Sequence, residues 1–328
     1  MRGKKYEVEN FDQSFFDGSV RSACRSNRRV DFAMIQIKAA RIASGRNISL
    51  TPTSETQRNS ESSIHVLLCE RYSHVTVPAG MVGLWCPLHD GVWAEALGAR
   101  FFVRRESVYT SDPDYGHEIS VPMRGASIAI LARHSVWCQL MSMCPADRHV
   151  LPTVFPANQT TPVGLRLAML HLVRKALDGP DLAESQLIEY FGQLMLKMQR
   201  HFLPLLQRCP GSSNARRCQI FLRLQRARHL IQTDPSRNID ISALAAISNY
   251  SSSQFIRIFN RVFGETPYSQ LLRLRIEFAR QLIRETRMNM NDVWRASGFE
   301  NRASFTRSFK MHSGSTASAF RSSLRLPH

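Results

Sequence analysis

Apolar side chains follow two different spacings along the chain. Between residues 21 and 155 they form short or alternating runs, such as ARFFVRRESVYT and GASIAILA, separated by clusters of Gly, Pro, Asn, Asp and Ser. This pattern predicts β-strands. From residue 163 onward they recur every three or four positions, as at Leu165, Met169, Leu172 and Val173, which predicts helices. The expected fold is therefore α+β, with the strands preceding the helices.

Changes in composition divide the chain into segments. A stop at Asp178-Gly179-Pro180 separates two predicted helices, which either form a dimer interface or pack against the strands. The stretch CPGSSNARR is typical of a linker. The expected segments are a lead-in (1–20), a β-rich domain (21–155), a helical region (156–208), a linker (209–215) and an all-helical domain (216–325).

The helical domain contains an internal repeat. Three pairs are separated by fifty residues: Phe255 and Phe305, Phe259 and Phe309, Gly264 and Gly314. Each copy predicts a short helix, a turn and a second helix with one buried stripe and a polar outer face. This is the helix-turn-helix form, expected at about residues 241–262 and 291–312.

A single helix is expected to join the two copies. Its predicted apolar stripe comprises Leu271, Leu274, Phe278, Leu282 and Ile283. A helix of about 18 residues is about 27 Å long, and one turn of DNA is about 34–36 Å. The second helices of the two copies could therefore enter successive major grooves.

Net charge favours a nucleic-acid partner. The 328-residue chain carries a formal charge of +17, and residues 212–328 hold 19 Lys+Arg against 7 Asp+Glu. All but Lys310 of those basic residues are Arg, whose guanidinium suits phosphates and guanine edges. An anionic membrane surface is the second candidate partner.

Other features of the sequence predict no cofactor and no catalytic site. The N-terminal stretch has no apolar run typical of a signal peptide, and no apolar stretch is long enough to span a membrane. The seven cysteines form no C-x-x-C pair, so neither a disulfide framework nor a zinc site is expected. This use of cysteine fits a reducing cytoplasm. His65, His74, His89 and His117 lack the spacing of a metal site.

Residues 216–325 resemble the DNA-binding domain of the AraC/XylS family of bacterial transcription regulators. The resemblance rests on the Asn249-Tyr250 and Gly298-Phe299 turns, Phe255–Phe259, Phe263–Pro267 and Ser304–Lys310. It implies that the polar residues at the start of each second helix face DNA. These residues are Ser252, Ser253, Gln254 and Arg257 in the first copy, and Arg302, Ser304 and Arg307 in the second.

Three positions depart from the family pattern, all of them in the second copy. Trp294 stands where the family has a small residue, Ser313 replaces a Phe, and Ala317 replaces the Pro that corresponds to Pro267. Looser packing of the second copy is therefore expected.

The resemblance also implies a cupin-like sensing barrel at the N-terminus. Its small-molecule effector is unknown; aromatic residues that qualify by type alone are Trp85, Trp93, Phe101, Phe102, Tyr109 and Trp137. The family implies a cytoplasmic regulator, more often an activator than a repressor, that acts on promoter DNA and RNA polymerase, forms a possible homodimer and has no membrane partner.

Three alternatives to an activator remain at the level of sequence. One is a repressor. Another is a DNA-repair enzyme that accepts methyl groups on a zinc-bound cysteine, which needs a cysteine cluster, whereas Cys24, Cys69 and Cys86 are far apart. The third is a non-specific architectural DNA binder, which the two different outward faces disfavour.

Overall fold

The computed structural model describes residues 36–50, 63–143, 153–178 and 184–324. The predicted lead-in (1–20), Cys24 and Cys144 lie outside these ranges. Within them, no helix combines the length and apolar character needed to cross a membrane.

The strands predicted in the first half of the chain form two sheets. The first sheet has the order β1 (Gln36–Ile42), β3 (Ser63–Cys69), β10 (Ser127–Arg133), β5 (Met81–Pro87), β8 (Ser107–Thr110) and β11 (Ala157–Thr160). The second has the order β2 (Asn47–Ser49), β4 (His74–Val77), β9 (His117–Ser120), β6 (Gly91–Ala96) and β7 (Ala99–Arg104). Only β1–β3 and β2–β4 pair in parallel among the described strands.

Apolar side chains from both sheets share one core, which gives the β-rich region its barrel-like form. In β7, Phe101 and Val103 point into this core while Phe102 and Arg104 face outward. The core also contains Ile42, Leu67, Cys69, Val75, Val77, Trp85, Val92, Ala94, Tyr109, Ile119, Val121, Ala129 and Leu131. The alternation in ARFFVR therefore reflects one buried and one exposed face.

Three helices cover the outer face of the first sheet. They are α1 (His134–Met143), α2 (Leu165–Asp178) and α3 (Glu184–Gln199). The predicted stripe of α2, including Met169 and Leu172, packs in one cluster with Ile128 and Ile130 of β10. The sheet therefore occupies the apolar face of α2, and β10 is buried on both sides.

Strand β11 follows the residue at which the sequence analysis ended the strands. Its sequence, ANQT, has no apolar alternation, so no pattern reveals it. Pairing with β8 holds it in the sheet, from Ala157 opposite Thr110 to Thr160 opposite Ser107. The domain limits derived from composition remain predictions.

Helices make up the C-terminal part of the described chain. After a 3₁₀ turn at Arg200–Phe202 they are α4 (Leu203–Arg208), α5 (Asn214–Thr233), α6 (Ile241–Ile247), α7 (Ser252–Phe263), α8 (Pro267–Glu285), α9 (Met290–Ala296), α10 (Arg302–Ser313) and α11 (Ala317–Ser323). Of these, α5 and α8 are the two long ones. The order of the elements confirms a β-rich region followed by a helical one.

A buried ion pair joins the barrel to α5. The side chain of Arg226 is 2% exposed. Its Nε donates to Asp112 Oδ2 at 2.7 Å and its Nη2 to Asp112 Oδ1 at 2.9 Å. Nη2 also pairs with Asp114, and the guanidinium lies 4.6 Å from the Tyr115 ring centroid. Burial alone would lower the pKa of Arg226, but the two carboxylates outweigh it and raise the pKa.

A ring stack lies beside this ion pair. The imidazole of His229 stacks on Tyr109 with ring centroids 5.6 Å apart and meets the edge of Phe101. Nearby, Gln225 Nε2 donates to the carbonyl of Pro156 at 2.9 Å. Burial lowers the pKa of His229 to about 4, so this contact holds a neutral imidazole.

We expect Asp112→Asn to destabilise the protein by on the order of 3 kcal/mol, because among the described residues it leaves the buried Arg226 only the largely exposed Asp114 as a carboxylate partner. Urea unfolding of the full chain measures the change. Glu70→Gln is the matched control, since the Glu70 pair with Arg41 is largely exposed and should contribute less than about 1 kcal/mol. Equal losses in the two variants would show that the Arg226 pair is not effectively buried.

We expect His229 to make the protein less stable in acid. Its folded-state pKa of about 4 lies below the unfolded value of 6.5, so only the unfolded chain binds a proton as the pH falls between these values. Each pH unit in that window should cost about 1.4 kcal/mol. The difference in unfolding free energy between wild type and His229→Phe, measured at pH 7 and pH 5, should shift by about 2 kcal/mol to the disadvantage of wild type. A pH-independent difference would contradict a buried neutral His229.

Candidate nucleic-acid interface

The first helix-turn-helix unit comprises α6 and α7. The carboxylate of Asp240 accepts the N–H of Ser242 at 2.9 Å and begins α6. Ser251 begins α7 by accepting the N–H of Gln254 at 3.4 Å. Gly264 ends α7 in the left-handed region, with φ of 79°. A polar side chain therefore begins each helix, and Gly264, one glycine of the repeated pair, ends the second one.

The second unit, α9 and α10, repeats this arrangement. Asn289 begins α9 by accepting the N–H of Asp292. Asn301 begins α10 by accepting the N–H of Ser304 at 2.8 Å, and Gly314 ends it with φ of 71°. The two second helices therefore begin and end at positions fifty residues apart.

The two turns also share one geometry. Asn249 has φ of 55° and Gly298 has φ of 79°. The N–H of Tyr250 donates to the carbonyl of Ala245 at 2.9 Å, and that of Phe299 to the carbonyl of Trp294 at 3.2 Å. Trp294 is therefore the structural counterpart of Ala245.

Buried phenylalanines fix the orientation of each second helix. Phe255 and Phe259 are fully buried in the first unit, and Phe305 and Phe309 are buried in the second. Their ring centroids are 5.4 Å apart in the first pair and 5.5 Å in the second. Because one face of each helix is anchored in this way, the opposite face is presented to solvent.

The predicted DNA-facing residues lie on these outer faces. Ser252, Ser253, Gln254 and Arg257 are exposed on α7, and Arg302 and Arg307 are exposed on α10. Ser304 differs, because its side chain is half-buried. Neither helix contains an Asp or Glu, so nothing on them repels phosphate, and each N-terminus adds partial positive charge.

Helix α8 belongs to both units. Leu271 lies in the core cluster of the first unit, whereas Ile276, Ala279 and Ile283 lie in that of the second. The single stripe predicted from the sequence is thus divided, and Phe278 is only half-buried. At 19 residues the helix is about 28 Å long.

The three departures from the family pattern have visible consequences. The half-buried Trp294 packs at the edge of the second core, and its Nε1 is buried without a hydrogen-bond partner in the described structure. Ser313 Oγ is likewise buried and unpartnered there. Ala317 is buried at the start of α11, where Thr316 supplies the cap.

The aromatic residues considered for effector binding fall into three environments. Trp85, Phe101 and Tyr109 lie in the core between the sheets, and Trp137 lies among the helices outside it. Trp93 and Phe102 are 39% and 37% exposed on the outer face. Inside, Trp85 Nε1 donates to His117 Nε2 at 2.9 Å, and burial lowers the pKa of His117 to about 3.

The remaining histidines and cysteines are dispersed. His65 contacts Ser63, His74 contacts Ser120 and Glu118, and His89 is exposed. Cys69, Cys86, Cys138, Cys209 and Cys218 are free thiols. Across the described ranges, no three His, Cys, Asp or Glu residues converge on a point that could hold a metal ion.

Comparison with known proteins agrees with this geometry. A family model described as a helix-turn-helix domain matches residues 244–323. The chain is 30% identical over 80 residues to the probable transcriptional regulator LumQ of Photobacterium leiognathi, covering 24% of this chain and 32% of that protein. It is 30% identical over 177 residues to the HTH-type transcriptional regulator CdhR of Pseudomonas aeruginosa, covering 53% and 49% respectively. The chain therefore spans less than half the length of either relative.

Among solved structures, ToxT from Vibrio cholerae strain SCE256 aligns with 79% of this chain and 94% of its own, at 10% identity and a TM-score of 0.32. Likeness of that degree supports no functional conclusion. The match of the family model, together with two units of common geometry, shows that residues 244–323 form a helix-turn-helix domain of the AraC type. The resemblance noted in the sequence is confirmed for this domain.

We expect Trp294→Phe to be tolerated, because it removes a buried N–H that lacks a partner in the described structure and keeps most of the apolar ring. Its unfolding free energy should stay within about 1 kcal/mol of wild type. Phe309→Ala, at a fully buried position of the same core, should lose about 3–5 kcal/mol. The measurement is urea unfolding followed by circular dichroism, which reports the loss of helix. Fluorescence of Trp85 and Trp137 would not report on this unit, because both residues lie in the N-terminal part of the protein. Comparable losses in both variants would show that Trp294 has a partner.

Proposed function

We propose that this protein is a sequence-specific DNA-binding transcription regulator whose two recognition helices, α7 and α10, enter successive major grooves. The observation that carries the proposal is the pair of units whose second helices begin and end at equivalent positions and which are joined by a 19-residue helix. A helix of about 28 Å between two such units is close to one turn of DNA, about 34–36 Å. One chain then does what a dimeric helix-turn-helix repressor does with two subunits.

Within this proposal, the first turns of α7 and α10 face base edges. Arg257 and Arg307 are exposed one turn into each helix, where a guanidinium reaches the O6 and N7 of a guanine. Arg302, at the first position of α10, is placed for a base or a phosphate. Ser252, Ser253 and Gln254 supply shorter polar contacts in the first unit. The half-buried Ser304 contributes least, so the second unit relies on its two arginines.

The barrel is proposed to sense a small-molecule effector, and the regulator to act in the cytoplasm as an activator that contacts RNA polymerase. Support for a sensing role comes from the barrel's contact with α5 through Asp112 and Tyr109. A change in the barrel would reach the helix on which the first unit packs. A homodimer formed through the predicted helix pair would use the faces of α2 and α3 that point away from the sheet, because the inner face of α2 is covered by the sheet.

Arg257→Ala and Arg307→Ala should each weaken binding by about 1–3 kcal/mol if the side chain reads a guanine. Wild-type full-length protein would first select duplexes from a random-sequence library, and footprinting would then map the contacts. Each variant should disturb one of two segments about 10 bp apart. If a side chain instead contacts a phosphate, its loss should lower the steepness of the plot of log binding constant against log salt concentration by about 0.9.

Arg216→Ala is the control, since Arg216 is exposed at the start of α5 and carries the same charge. Arg216→Ala should leave the protection of both DNA segments unchanged in the footprint. Disturbance of the same base pairs by both recognition-helix variants would refute the two-groove arrangement. Failure of the wild type to enrich any sequence, with binding governed only by salt, would favour a non-specific DNA binder.

A further inference from the structure

A short loop between α5 and α6 is held by residues that are distant in sequence. The loop is Asp234–Arg237, called here the α5–α6 loop, and Ser236 Oγ donates to Asp234 Oδ1 within it at 2.6 Å. Arg275, near the middle of α8, is 8% exposed. Its Nε donates to the carbonyl of Pro235 at 2.8 Å and its Nη2 to the carbonyl of Arg237 at 3.0 Å.

The second helix-turn-helix unit approaches the same loop from another side. Gly298, in the turn between α9 and α10, has φ of 79°. A Cβ atom at this position would lie 2.7 Å from Ser236 Cα and closer still to the Ser236 carbonyl oxygen. Such a distance is shorter than any real Cβ contact, so Gly298 permits both the turn conformation and the close approach of two backbones.

Arg275 lies between the two units. The guanidinium lies 5.8 Å from the ring centroid of Phe299, which belongs to the second core. Four residues before it, Leu271 belongs to the first core. Arg275 therefore contacts the second unit through Phe299 and the α5–α6 loop through two hydrogen bonds.

Hydrogen bonds constrain orientation in a way that apolar packing does not. The contacts of Leu271 and Ile276 are non-directional, so they hold α8 against each unit but allow small rotations about it. A planar guanidinium that donates two bonds to two fixed carbonyls prevents such rotation. The loss of Arg275 would also leave two carbonyls without their donor.

We propose that Arg275 is a positioning residue that fixes the separation and relative orientation of α7 and α10, and thereby the spacing of the two DNA segments that the protein accepts. This inference rests on the proposed function. Gly298 acts on the same loop from the second unit, because the absence of a side chain lets the α9–α10 turn pack directly against the α5–α6 loop. The barrel touches the same loop, since Arg237 Nη1 donates to the carbonyl of Gly98 at 2.6 Å.

The test is the spacing preference of Arg275→Gln in the full-length protein. The probe is a duplex that wild type selects from a random-sequence library and protects at two segments. A series then adds or removes 1–4 bp between the segments, and further duplexes retain one segment only. Arg275→Gln should lose about tenfold in affinity at the selected spacing. It should bind one-segment duplexes within about twofold of wild type, and its affinity should vary less with spacing.

Arg273→Gln is the matched control. Arg273 lies on the same helix and carries the same charge, but it pairs with Glu265 and Glu277 and not with the α5–α6 loop. Its spacing profile should follow that of wild type. Gly298→Ala is the second variant, and it should flatten the profile from the opposite side of the loop. Urea unfolding shows which variants are folded. If Arg275→Gln is not folded, the spacing profile of Gly298→Ala tests the proposal in its place.

The possible failures can be told apart. A uniform loss of affinity on one-segment and two-segment duplexes, with an unchanged spacing profile, would overturn the role of Arg275 and leave the proposed function intact. A wild-type protein that selects no sequence would overturn both. A flattened profile in Arg273→Gln equal to that of Arg275→Gln would assign the effect to charge and not to the loop, and would also overturn the proposal.

Discussion

The buried guanidinium of Arg226 is the constraint on which the relation between barrel and helical domain depends. A charge at 2% exposure is stable only beside opposite charge, and here Asp112 and Asp114 of the barrel provide it. Neither partner is satisfied without the other, so the barrel and α5 are held in one arrangement. Gln225 and His229 lie on the same face of α5 and add a hydrogen bond and a ring stack. Because Arg226 Nη1 also donates to the carbonyl of Ile247, the last residue of α6, the same side chain connects the barrel to the first helix-turn-helix unit.

The two units cannot be independent of each other, since α8 supplies core residues to both. Each unit alone has two short helices and a few buried phenylalanines, too little apolar surface for a stable fold. The first unit gains the rest from α4, α5 and the first part of α8, whereas the second gains it from the later part of α8 and from α11. The second unit therefore depends more on α8 than the first unit does. Trp294 Nε1 and Ser313 Oγ, which are buried without a partner in the described structure, also weaken the core of the second unit, and this core is the smaller of the two.

Much of this organisation could be predicted from the sequence, and the rest could not for physical reasons. The presence of two helix-turn-helix units could be predicted, because Gly264 and Gly314 are local stop signals for a helix and the phenylalanines keep a helical period. Strand β11 was missed because ANQT has no alternation and is held by pairing alone. The roles of Arg226 and Arg275 were also missed. An arginine in an Arg-rich helix is indistinguishable in sequence from one on a solvated or DNA-facing surface, and only the long-range partners, Asp112 and Pro235, separate the cases.

The burial of Arg226 and Arg275 changes the meaning of the positive charge. The excess of basic residues after residue 211 favoured a nucleic-acid partner, yet Arg226 and Arg275 are buried and Arg228 stacks on Phe263. Arg280 and Arg284 likewise stack on Phe320. Arg226 and Arg275 are therefore not free to neutralise phosphates, so the charge available to DNA is smaller than the sequence total. Since the salt dependence of binding reflects the phosphates that are neutralised and not the net charge, it depends on the exposed arginines of α7, α10 and the helices beside them. Recognition of a sequence then rests on few side chains, and correct placement of those few by α8 and the α5–α6 loop matters more than the amount of charge.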